Sequence, residues 1–123
     1  MKSKKYIIIS GSSSGLGKSL SENFIKDGHD MLLLYRKKID KDLFLNLKKK
    51  NEKIIFFKLD LVNQKKIEKL IEFIKKNFKS ANVLINNAAD IGPIGLFHQN
   101  DFKSWVNNLT INLINTAFLI KKI

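Results

Sequence analysis

Cysteine is absent from the 123 residues, so this chain can build neither a disulfide framework nor a thiolate metal site. Two histidines are too few for a histidine-built zinc site, and no metal is expected. One proline and six glycines exclude collagen-like and linker-like chains. No apolar run approaches the roughly 20 residues that a membrane span needs. The N-terminus, Met1-Lys2-Ser3-Lys4-Lys5 and then Tyr6-Ile7-Ile8-Ile9, is basic and then apolar. That apolar run is too short for a signal peptide and reads as a first strand. A cytoplasmic address without a membrane partner is the default expectation.

Acid is scarce. Eleven acidic residues against 23 basic ones leave a net charge of +12. Such an excess can mark a surface for nucleic acid or anionic membrane. Arginine is scarcer still, since every basic residue except Arg36 is lysine. Readers of phosphates and bases lean on the arginine fork, and the lysines here are spread along the whole chain. The charge therefore reads as a solvated surface, with no nucleic-acid partner expected. The densest run, Lys48-Lys49-Lys50, falls at an expected helix end, where cations suit the dipole. Against these absences stand 44% apolar and 28% charged residues, the balance of a folded domain and not of a disordered tail.

Hydrophobic patterning gives alternating strands and helices. Lys5 to Ile9 is a short apolar strand that ends in the small-residue turn Ser10-Gly11-Ser12-Ser13-Ser14-Gly15-Leu16-Gly17. Leu16, Leu20 and Phe24 then recur at helical spacing until Asp27-Gly28. Met31 to Tyr35 reads as a second strand, Ile39 to Lys50 as a helix and Ile54 to Leu59 as a third strand. Asn63 is placed to cap a long amphipathic helix whose stripe is Ile67, Leu70, Ile71, Ile74 and Phe78. Val83 to Ile85 begins a fourth strand, and a loop from Ala88 to Gln99 holds Pro93. Asn100 can cap a last helix running through Trp105, Leu109, Leu113 and Ala117. The strands are near-continuous apolar runs, as parallel strands covered on both faces should be. The expected class is α/β, a Rossmann-like doubly wound parallel sheet.

Gly11, Gly15 and Gly17 sit between a strand and a helix, where backbone N–H groups can face a phosphate. Ser13 and Ser14 can add hydroxyl donors. Two other motifs overlap this turn. Gly17-Lys18-Ser19 resembles the end of a P-loop, but the position that then requires glycine is Ser12. Gly11-Ser12-Ser13-Ser14-Gly15 fits a nucleophile elbow around Ser13, but His98 is the sole later histidine and the first strand is too early for such an elbow.

The pattern that fits is G-x-x-x-G-x-G, and in it the chain resembles the short-chain dehydrogenase/reductase family, with Ser10 in place of that family's threonine. Further features fall in the family's order. The resemblance implies that Gly11, Ser13, Ser14, Gly15, Leu16 and Gly17 lie about the phosphates of a nicotinamide dinucleotide. Arg36 follows the second strand, where a guanidinium can fork onto a phosphate on the adenosine ribose. The strand-end position is Tyr35, so no carboxylate stands there for a ribose hydroxyl, and NADP is expected over NAD. Asp60-Leu61 resembles the family's acid-hydrophobic pair, which implies that Asp60 accepts from the adenine amino group beside Leu61; a helix-capping role is the plainer alternative. Asn86-Asn87-Ala88-Ala89 resembles Asn-Asn-Ala-Gly, whose amides tie strand ends together and whose small residues leave room for ribose; Asn86 and Ala88 are singled out. Asn112 matches the asparagine whose main-chain carbonyl is implied to hold a water in the family's proton relay.

The implied chemistry is hydride transfer between nicotinamide and a small carbonyl or alcohol substrate. The family uses a tyrosine with a lysine four residues on, and a serine at the substrate oxygen. Tyr6 and Tyr35 are the only tyrosines here, followed at that spacing by Ser10 and Ile39. Family members run roughly twice this length. Residues 1–123 are therefore expected to be one incomplete nucleotide-binding domain, truncated after the fourth strand and its following helix and inactive alone. A non-catalytic NADP(H)-binding module or a non-functional remnant is the alternative. A full-length form is expected to be a homo-oligomer. In the family's strand order the fourth strand is central, so Asn82 to Asn86 becomes an apolar edge. The last helix is expected to leave Leu109, Leu113, Ile114, Phe118 and Ile120 partly uncovered.

Overall fold

The computed structural model describes residues 3–78 and 80–123, and Met1 and Lys2 of the basic N-terminal stretch lie outside the described residues. β1 (Tyr6–Ser10) is buried along its whole length, as its unbroken apolar run requires. β2 (Asp30–Tyr35), β3 (Ile54–Lys58) and β4 (Val83–Ile85) join it in one sheet with order β3-β2-β1-β4. All pairings are parallel, with Ile8 beside Leu32 on one side and Leu84 on the other. This is the expected Rossmann-like pattern, and β4 forms one edge of the described sheet.

Side-chain alternation along β1 feeds two cores. Ile7 and Ile9, with Met31 and Leu33, meet Ile25 of α1 (Gly15–Lys26) and Phe44 of α2 (Lys41–Asn46). Tyr6 and Ile8, with Leu32 and Leu34, meet Ile67, Leu70, Ile71 and Ile74 of α3 (Gln64–Asn77). Leu119 of α5 (Asn115–Lys122) completes that second core. Helices thus cover both faces of the sheet. Each buried α3 side chain contributes about 1.5–3 kcal/mol relative to exposure, which far exceeds the helix's intrinsic propensity. Asn63 caps α3 as its spacing predicts, accepting from the Lys66 N–H at 3.1 Å.

Three helix boundaries differ from the sequence reading. α2 spans six residues and not Ile39 to Lys50. Asp40 caps it, accepting from the Leu43 N–H at 3.0 Å. The Glu52 carboxylate takes the Lys50 N–H at 2.8 Å, an amide that a longer helix would need. Lys48-Lys49-Lys50 therefore lie beyond the helix and not in its last turn. The same amide bonds, that from Lys50 first, hold the Glu52 carboxyl below the usual carboxylate range. α4 (Phe102–Leu109) is capped by Asp101, which accepts from the N–H and the hydroxyl of Ser104. Asn100 instead donates to the Leu96 carbonyl. A carboxylate at a helix start gains from the dipole, which favours Asp101 over its neighbour.

The third difference is a π-turn at Thr110–Ile114 between α4 and α5. Its wider backbone ring rotates the following residues relative to α4. The stripe Trp105, Leu109, Leu113, Ala117 is consequently not the buried one. α5 buries Asn115 and Leu119, and the Asn115 amide donates to the Leu61 carbonyl at 2.5 Å. Leu109, Leu113, Ile114 and Ile120 are exposed, as expected, and Phe118 is partly uncovered while packing against the α3 core. With β4 at an edge, the isolated chain is expected to self-associate. Changing Leu109 and Leu113 together to lysine should lower light scattering and hydrophobic-dye binding at unchanged helicity. Equal scattering by both proteins would count against this face as the cause.

Candidate functional site

β1 lies between β2 and β4, so chain connections leave it toward opposite faces of the sheet and a crevice opens at the carboxyl ends of the strands. A cleft of about 220 Å³ occupies that position. The turn after β1 contributes Ser10, Gly11, Ser13 and Ser14 to its lining. The end of β2 contributes Leu34, Tyr35 and Arg36, and the segment after β3 contributes Leu59, Asp60 and Leu61. Asn87 to Asp90 follow β4, and Ile111 comes from the π-turn.

The turn is held by close backbone packing. A Cβ on Gly17 would fall on the Gly11 carbonyl oxygen and the Asn87 amide. Gly15 differs, because its φ of +53° favours glycine while nothing lies within 4 Å of where a Cβ would stand. Ser14, at the N-cap of α1, makes no side-chain capping bond, and the first turn of α1 carries no acid. The start of a 12-residue helix is thus left uncapped by any side chain and beside open space. Unpaired helix amides and the positive end of the dipole suit an anion there. The residues present fit a dinucleotide's phosphates on this geometry.

Polar bonds tie the strand ends around the cleft. The Ser10 hydroxyl accepts from the N–H groups of Asn87 and Ala88 at 3.1 and 3.0 Å. The Asn87 amide donates to the carbonyls of Ser10 and Gly11 at 3.2 and 3.0 Å. Ser12 is fully buried, and both its N–H and its hydroxyl donate to the Leu34 carbonyl, at 3.1 and 3.0 Å. The Asp60 carboxylate accepts from the Val62 N–H at 3.1 Å, in the turn that leads to the Asn63 cap. Asn112 clamps the loop after β4: its side chain accepts from the Asp90 N–H and donates to the Asp90 carbonyl, at 2.8 and 2.7 Å. Asn108, one turn earlier, donates to the same carbonyl at 2.7 Å.

Of the residues singled out from sequence, Gly11, Ser13, Ser14, Arg36, Asp60, Leu61 and Ala88 line the cleft. Gly15 and Gly17 shape the turn without lining it, and Leu16 is an exposed side chain. Asn86 is exposed and outside the lining; the amide that ties the strand ends belongs to Asn87. Asn112 lies in the π-turn, and its side chain acts on the loop backbone. Sequence reading missed Ser12, because nothing in a run of three serines distinguishes the buried one. Asn108 was also missed, although its four-residue spacing from Asn112 on one helix face was a usable signal.

The two tyrosines stand apart: Tyr35 lines the cleft and Tyr6 does not. Tyr6 begins β1, about 13 Å along the strand from Ser10. Its ring stacks on Phe78 at 4.0 Å, and its hydroxyl is buried without a partner among the described residues. Burial, with the Asp30 carboxylate second, pushes its pKa far up, so the phenol stays neutral. Tyr35 stands at the β2 end, next to Arg36. Among the described residues, no group of three or more His, Asp or Glu could hold a metal ion, and no helix is long and apolar enough to cross a membrane.

No curated protein matches the chain. Solved structures do. A short chain dehydrogenase from Bacillus anthracis is 30% identical with a TM-score of 0.81, covering 95% of this chain and 47% of that one. L-sorbose reductase from Gluconobacter frateurii, complexed with NADPH and L-sorbose, is 24% identical with a TM-score of 0.83, covering 98% and 46%. A 3-oxoacyl-[acyl-carrier protein] reductase from Brucella melitensis, in complex with NAD, is 22% identical with a TM-score of 0.84, covering 100% and 49%. At those identities the last two show a shared fold. The chain spans about half the length of each of these proteins. Residues 5–123 match the short chain dehydrogenase family model, and the chain, with its glycine turn, parallel sheet and crevice in that family's arrangement, belongs to that family.

Proposed function

We propose that this chain is the nucleotide-binding part of an oxidoreductase that uses NADP(H) and acts on a small carbonyl or alcohol substrate. The observation that carries the reading is the uncapped start of α1 at Gly15, beside a cleft where β2 ends in Tyr35 and Arg36 and not in a carboxylate. The turn amides, with Ser13 and Ser14, bind the phosphates. Arg36 takes the ribose phosphate through its guanidinium fork. Asp60 and Leu61 receive the adenine, and Ala88 leaves room for a ribose. The nicotinamide, when bound, supplies or takes the hydride. Asn112 and Asn108 orient the loop after β4 through the Asp90 backbone.

A proton must still be held at the substrate oxygen. Tyr6 is buried and neutral, and neither it nor Tyr35 precedes a lysine at the family's spacing. No residue of this chain is assigned that step, and the chain spans about half the length of the solved relatives. A binding module that performs no chemistry is the second reading, favoured by the same lack of a tyrosine-lysine pair.

Fluorescence titration of the folded chain with NADPH and NADH tests the binding, and tighter NADPH binding is expected. Arg36→Ala should weaken NADPH by about ten- to a hundredfold, the range for a hydrogen bond to a charged group, and leave NADH within about twofold. Equal loss for both nucleotides would remove Arg36 from the reading. Turnover of NADPH by the chain alone with simple carbonyls is not expected; observing it would overturn the placement of the proton donor.

A further inference from the structure

The three serines of the glycine turn do different work. Ser13 and Ser14 line the cleft, while Ser12 is fully buried and turned away to β2. Its N–H and its hydroxyl converge on one oxygen, the Leu34 carbonyl. A carbonyl oxygen offers two acceptor sites, and Ser12 fills both. Ser12 and Leu34 are 0% and 1% exposed, so these bonds are shielded from bulk water. The residues that follow each partner in sequence are the two sides of the cleft: Ser13 and Ser14 after Ser12, Tyr35 and Arg36 after Leu34.

We infer that Ser12 is a positioning residue for nucleotide discrimination: its paired bonds to Leu34 set the separation between the serine turn and Arg36, and so the strength with which Arg36 takes a ribose phosphate. The inference rests on the NADP(H) reading above. A guanidinium meets a phosphate through two directed bonds, so it is sensitive to small displacement. The helix start that receives the other phosphates is built by the packing of Gly11 against Gly17, whereas the Ser12 hydroxyl bonds to β2. Loss of that hydroxyl therefore falls on NADPH and largely spares NADH. The amide bond to Leu34 remains and keeps the turn folded.

The test titrates the intact chain and its variants Ser12→Ala, Ser12→Cys, Arg36→Ala and Ser12→Ala/Arg36→Ala with NADPH and with NADH. Ser12→Ala and Ser12→Cys should weaken NADPH about three- to tenfold, as loss of one hydrogen bond does, with NADH changed by less than about twofold. The double variant should show the same NADPH-to-NADH ratio as Arg36→Ala alone. Equal weakening of both nucleotides would make Ser12 merely structural and overturn the inference, as would no weakening or a full further drop in the double variant. Ser12→Cys keeps the side-chain shape with a weaker donor and carries the measurement if the alanine variant melts early. An unaltered chain that binds neither nucleotide would sink the NADP(H) reading itself. One that binds both, without preference, would sink the role of Arg36 and with it that of Ser12.

Discussion

Gly17→Ala is expected to destabilise the chain by a net of about 2 kcal/mol and to abolish NADPH binding, although the residue sits in a helix where alanine is normally the better choice. Helix propensity alone would return about 1 kcal/mol on replacing glycine by alanine. The added Cβ, however, would fall on the Gly11 carbonyl oxygen and the Asn87 amide. The first is backbone and the second is a side-chain amide held by its bonds to the Ser10 and Gly11 carbonyls, and forcing such an overlap costs about 3 kcal/mol. The contact therefore outweighs the propensity, and the displaced atoms belong to the turn that shapes the cleft. Gly15→Ala makes the instructive comparison. It meets no neighbour within 4 Å, so its cost is that of holding alanine at a φ of +53°, about 1–2 kcal/mol. Thermal denaturation and NADPH titration of both variants check the pair. A Gly17→Ala chain that melts at or above the unaltered one would show that the turn can relax and that its close packing is not required.

The two glycines also show which parts of the site can be read in sequence. Where local backbone geometry demands a residue type, the demand is written into the chain, as it is at Gly11, Gly15 and Gly17. Strands buried on both faces are legible for the same reason, since β1 and β2 must be continuous apolar runs. α3 is legible because its cap and its stripe lie within one segment. Legibility fails where the deciding partner lies outside the element. α2 ends at Asn46, and beyond it the Lys50 amide goes to Glu52 and not to a helix carbonyl. The buried face of α5 is set by the π-turn and by the Leu61 carbonyl that receives Asn115, 54 residues away in sequence. Asn86 and Asn87 are the same residue type in adjacent positions. Which one reaches the β1 turn depends on where β4 leaves the sheet, a tertiary fact that no local pattern carries.

Asn87→Asp is expected to destabilise the chain by about 3 kcal/mol at neutral pH and by clearly less near pH 4, relative to the unaltered chain under the same conditions. The Asn87 amide donates to the carbonyls of Ser10 and Gly11, joining the end of β4 to the turn after β1. An ionised aspartate has no proton for either bond and sets its charge against two carbonyl oxygens in a part-buried site. Two lost hydrogen bonds account for about 2 kcal/mol, and the repulsion and desolvation add about 1 more. A protonated aspartic acid can again donate one bond, so folding favours the protonated form and raises the pKa above its unfolded value of about 3.9. A raised folded-state pKa places the better stability at low pH, to be lost as pH rises through that value. The unaltered chain runs the other way in part, because the Glu52 carboxyl is held below the usual range by backbone amides. Its contribution is present above the unfolded pKa and disappears on acidification, which is why the comparison is made at matched pH. Asn87→Leu supplies the control: it loses both bonds, about 2 kcal/mol, with no added dependence on pH. Urea unfolding of the three chains at two pH values reads the difference directly. An aspartate penalty that stays constant across that interval would show that the side chain has turned away from Ser10 and Gly11. The join between β4 and the glycine turn would then rest on the Ser10 hydroxyl alone.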